Sequence, residues 1–156
     1  MKMNSIVLLR ILIGWHFLYE GAVKIYNPDW SAFSYLATAQ GPLSFLFTPL
    51  AQPGIIDWVD TLNVLTLVFV GIFLLLGLLE KKAAFAGIGL LAMYYFAHPP
   101  FPGLQQLNVE GNYWFVNKNL IELVACIILF QNPTGSIFGI RYFWKKDKKL
   151  TKIEKA

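Results

Sequence analysis

Residues 14–30 read GWHFLYEGAVKIYNPDW. The stretch opens as an apolar helix and then carries His16, Glu20 and Lys24 within nine residues. With the run that precedes it, from about residue 5 to 26, it has the roughly 20 mostly apolar residues that a helical membrane span needs. At about 100° per residue, Arg10, His16, Glu20 and Lys24 fall within an arc of roughly 120°. Glu20 and Lys24 stand at i and i+4, in the order that favours an ion pair. A helix face with four ionisable groups cannot be left to lipid, because each unpaired charge is costly there. It must meet other helices, so this stretch points to a helical membrane bundle with polar groups inside.

Three more apolar segments supply the partners, at about residues 59–79, 83–97 and 112–130. The third segment is short and reaches a bilayer's thickness only by using Lys81 and Lys82, which can snorkel, or the turn at His98. Only EKK separates the second and third, which implies a tight antiparallel hairpin. Composition agrees. The chain of 156 residues is 56% hydrophobic, 16% aromatic and 14% charged, against about a quarter charged in a soluble domain. The fold class expected is therefore all-α: a four-helix transmembrane bundle over residues 1–140, followed by a basic tail, 141–156.

The Lys and Arg positions set the expected orientation. Lys2, Lys81, Lys82 and seven basic residues after position 140 would share one side. The two other loops, 27–58 and 98–111, have no Lys or Arg and hold Asp29, Asp57 and Glu110. Both termini are then cytoplasmic and both long loops face outward. A cleaved signal peptide is disfavoured, because His16, Glu20 and Lys24 interrupt the apolar run. In the first outer loop, NPDWSAFSYLATAQ reads as a helix capped by Asp29, and GPLSFLFTPLAQPG as an apolar segment too short to span. Both suit an interfacial cap. The basic tail suits anionic lipid, and its confinement to one end argues against nucleic acid.

The polar residues converge at one depth. Lys118, Glu122 and Cys126 are successive i+4 neighbours, with Asn119 beside them, and Asp60 and Asn63 enter from the second span. The outer loops add His98, Glu110, Tyr113 and Asn117. Two readings follow. A nearly balanced set of charges can lock helices together; charges spread over several helices can also line an outward-facing polar pocket. In the second reading Lys24, Asp60, Asn63, His98, Asn117, Lys118 and Asn119 bind substrate. Glu20 or Glu122 takes a proton, and His16, deeper, relays protons or meets a quinone head group. Arg10, toward the cytoplasmic side and partly snorkelled, is structural. No span carries paired ligands of the right type at i, i+3 or i+4 to make a metal motif, and the one cysteine, Cys126, reads as a small apolar filler. Gly71, Gly77, Gly87 and Gly89 read as sites of close helix packing.

At these residues the chain resembles the DoxX family of bacterial membrane proteins. The likeness runs through RILIGWHFLYEGAVKI, WSAFSYLATAQGPLSFLF, LLLGLLEKKAAFAG, EGNYWFVNKNLIELVA and PTGSIFG. It implies a four-span bundle in the cytoplasmic (inner) membrane of a bacterium and a loose link to redox chemistry, since relatives include a membrane subunit of a thiosulfate:quinone oxidoreductase. Three functions are then open. The chain is a subunit of a quinone-linked oxidoreductase, with no covalently bound cofactor and quinone as a mobile partner. Or it is a non-catalytic membrane subunit that docks a periplasmic, lipoprotein or membrane partner, or a second copy of itself. Or it is a small transporter.

Overall fold

The computed structural model describes residues 3–104, 113–140 and 142. Among the described residues there are six α-helices, one 3₁₀ turn and no strand: α1 (Met3–Tyr26), α2 (Phe33–Ala37), α3 (Ser44–Phe47), the 3₁₀ turn Thr48–Ala51, α4 (Ile56–Leu76), α5 (Glu80–Ala97) and α6 (Lys118–Gln131). The basic tail apart from Tyr142, the loop residues 105–112 with Glu110, and Lys2 lie outside the described residues.

Helices α1 and α4 are each long and apolar enough to cross a membrane. They also pack most closely, and small residues let them. Gly14 and Gly21 of α1 face the backbone and side chains of Leu74–Leu75 and Leu67–Val68. Gly71 of α4 faces Leu18, where an added Cβ would come within 2.5 Å of the Leu18 nitrogen. Close backbone approach of this kind is how helices associate when lipid removes the hydrophobic drive between them. Then α4 packs on α5, α5 on α6 and α6 back on α1, so the four long helices form a closed ring. Phe17, Val70, Leu74, Cys126 and Leu129 fill its centre. Gly87 sits among Phe17, Val70 and Cys126. Gly89 faces open space instead, so its expected packing role is not seen.

The outward face of α1 shows the reverse of a soluble protein's pattern. Leu8, Leu12, Trp15, Tyr19 and Val23, spaced by three or four residues, form one exposed stripe. On α4, Trp58, Leu62 and Leu65 are exposed, Trp58 by 77%.

Several boundaries differ from the sequence expectation, each for a local reason. The second segment ends at Leu76 because Gly77 takes the left-handed conformation (φ 67°), with Leu78 N donating to Phe73 O. Glu80, Lys81 and Lys82 are the first turn of α5 and not a loop. The fourth segment becomes helical only at Lys118: Tyr113 and Val116 pair across a tight turn, and the Asn117 side-chain Oδ1 accepts from Leu120 N at 3.0 Å. In the first outer loop Asp29 caps no helix. The helix starts at Phe33, and Asp60 of α4 accepts from Ala32 N at 2.8 Å, tying the loop down from outside. Its short elements form a second apolar cluster around Leu36, Phe47, Ala51 and Ala97, which closes one end of the ring.

Candidate functional site

Two groups of ionisable side chains occupy opposite ends of the ring. The first is at the end that holds the α4–α5 turn. Arg10 is 0% exposed, so the expected snorkelling does not occur. Its Nη1 donates to Glu80 Oε2 at 3.3 Å and to Thr134 Oγ1 at 3.0 Å, and its Nη2 donates to Phe138 O at 2.6 Å. Glu80, 7% exposed, also accepts from the backbone N–H groups of Thr134 and Gly135. The carboxylate therefore stitches α1, the start of α5 and the segment after α6. A charge in an apolar interior is tolerated only when paired and hydrogen-bonded like this. Glu80 and Thr134 were not singled out from sequence. Glu80 looked like a loop charge beside two lysines, and nothing local in PTGSIFG announces a ligand for arginine.

The second group lies in the other half, beneath the cap. His16 Nε2 stands 3.3 Å from Glu122 Oε1, joining α1 to α6. Lys24 Nζ donates to Glu20 Oε2 at 3.0 Å along α1. Lys118, exposed at the start of α6, lies within electrostatic reach of Glu20 and Glu122, and His16 within reach of Glu20. Five of the sequence-selected residues therefore share one site. Unlike the Arg10 group they are partly open: the His16 side chain is 34% exposed and that of Glu20 39%. Neighbouring Trp30 lays its ring 5.2 Å from Lys24 Nζ, a cation–π contact.

The remaining selected residues serve the walls. Asn63 donates from Nδ2 to the Tyr94 hydroxyl at 2.6 Å, while its buried Oδ1 has no partner. Tyr94 in turn lies within electrostatic reach of Glu20, which links α4 and α5 to the site. One Asp60 oxygen is committed to Ala32 N and the Asn117 oxygen to the α6 cap. Asn119 is half-buried on α6, next to Lys118. His98 Nε2 contacts Tyr35 O at 2.7 Å, and its ring lies 4.2 Å from the Tyr35 ring. A carbonyl only accepts, so this Nε2 carries the proton. Tyr35 donates to Tyr94 O at 2.9 Å. Burial, and then the neighbouring Tyr94, push the Tyr35 phenol above its usual range, so it stays a donor. Tyr35 and Tyr94 were missed because a tyrosine in an aromatic-rich chain reads as packing. Among the described residues, no group of three or more His, Cys, Asp or Glu is placed to hold a metal.

An all-helical chain with an exposed apolar girdle and ionisable groups turned inward defines a helical membrane-protein class. The particular family follows from sequence comparison: the DoxX family model matches residues 5–99, and the chain belongs to that family of membrane proteins. No curated protein and no solved structure matches the chain.

Proposed function

We propose that the chain is a four-span inner-membrane subunit of a quinone-linked oxidoreductase. Its outward-facing polar site takes a small substrate and manages protons. The observation that carries the reading is the His16–Glu122 contact between α1 and α6, with Glu20, Lys24 and Lys118 around it. An imidazole beside a carboxylate is an acid–base pair, and its partial exposure leaves it reachable. In this reading Glu122 or Glu20 accepts the substrate's proton, His16 passes it inward, and Lys24 and Lys118 hold the substrate. The redox part is our reading of the family resemblance alone.

Four spans are supported by the ring packing. At 1.5 Å per residue α5 covers about 27 Å and α6 about 21 Å, against about 30 Å of hydrocarbon. Lys81 and Lys82 then sit at one interface, while exposed Tyr26, Trp58, Tyr113, Trp114 and Phe115 form an aromatic belt at the other. With the lysine end cytoplasmic, both termini are inside and the cap is outside.

A specific observation favours a second reading. Lys24 and Glu20 already satisfy each other, as they would in a non-catalytic subunit whose charges only fix the helices. The test is quinone reduction by the purified protein, alone and with products of neighbouring genes, over a panel of small reduced substrates. Substrate-dependent reduction supports the oxidoreductase. Its absence in every combination, with an intact bundle, supports the scaffold.

A further inference from the structure

We propose that Trp30 is the gate residue of the polar site: its indole covers the Lys24 ammonium, and a substrate reaches Lys24 only when that ring moves aside. The inference rests on reading the His16–Glu122–Glu20–Lys24 group as a substrate site, and it adds a residue that the reading does not use. Three observations carry it. The ring lies 5.2 Å from Lys24 Nζ, and the Lys24 side chain is only 15% exposed although it stands two residues from the end of α1. Its i−4 partner Glu20 is more open, at 39%. Depth along the helix would give the opposite order, so a cover from outside the helix hides Lys24.

The cover belongs to the cap and not to the bundle. Trp30 packs against the cap cluster of Leu36, Phe47, Ala51 and Ala97. Its segment is fastened on both sides. Trp30 N donates to Asn27 O at 3.0 Å, and Ala32 N donates to Asp60 Oδ1 at 2.8 Å. The indole is thus fixed to a small body of short helices, with one face on the charge. The contact itself is modest, which is what a gate requires. A charged or strongly polar ligand offers the ammonium more than a ring face does, and the ring then yields.

The test is amine footprinting of the full chain in lipid nanodiscs. An N-hydroxysuccinimide acetate is used as probe, and mass spectrometry reads each lysine. Lys118 at the same end, and Lys81 at the other, serve as internal references, since both are exposed. In Trp30→Leu, Lys24 acetylation should rise roughly 2- to 30-fold, the change in uncovered population that a cation–π contact corresponds to, with the references unchanged. Trp30→Phe should restore part of the protection. Unchanged Lys24 labelling would overturn the proposal. So would an equal rise at all lysines, which would make Trp30 a fold-holding residue, or full loss of protection in Trp30→Phe. The footprint needs no turnover, so a failed quinone assay and a failed gate are separate results.

Discussion

Compare the two ends of the bundle. At one, Arg10 and Glu80 are sealed in, and Thr134, Gly135 and Phe138 supply the bonds that their charges demand. At the other, His16, Glu20, Lys24, Lys118 and Glu122 carry more charge, yet the group stays partly open through His16, Glu20 and Lys118. The same helix, α1, feeds both. The difference teaches how one family of side chains divides its work. A pair sealed from solvent, its carboxylate taken up by several donors, has no room for a ligand and holds structure, although Arg10 Nε itself lacks a partner. A partly exposed set with single contacts per group can exchange them.

The comparison can be broken first at the sealed end. Arg10→Met leaves the buried Glu80 carboxylate without its counter-charge, and unfolding in detergent should show a loss of about 3–5 kcal/mol. Adding Glu80→Gln should return much of it, because the uncompensated charge goes away. A small effect of Arg10→Met alone would remove the contrast between the ends. Next comes the α1–α4 seam. Gly71→Ala pushes a methyl group onto the Leu18 backbone and should cost about 1–3 kcal/mol by the same unfolding measurement. The cap is held more lightly. Tyr35→Phe removes the bond to Tyr94 O and should cost about 1 kcal/mol, seen as faster proteolysis within the cap before global unfolding.

Much of this was written in the sequence, and the misses have physical causes. The α1 stretch was legible because helical periodicity is local: His16, Glu20 and Lys24 share a face whatever they touch. The convergence of Glu122 and Lys118 on that face was legible too, since both sit at i+4 spacing in a span of opposite direction. Arg10 was legible as structural, but its full burial was not. Its burial depends on Thr134 and Phe138, more than a hundred residues away, and no local pattern reports such a pairing. Asp29 looked like a helix cap by residue type, but a carboxylate on another helix, Asp60, ties the chain just ahead of α2. The late start of α6 has a readable signal in Asn117, a residue type that favours helix N-caps and whose side chain caps this one.

The most direct measurement is made on the open end. Glu20→Gln with Lys24→Met removes one ion pair while leaving Arg10, Glu80 and the glycine seam in place. A partly exposed pair adds little to stability, so the unfolding free energy should shift by less than about 1 kcal/mol. Substrate-dependent quinone reduction by the intact protein and its partner should be lost. Activity that survives the double substitution in a folded complex would contradict a working role for this end, and would make both ends of the bundle structural.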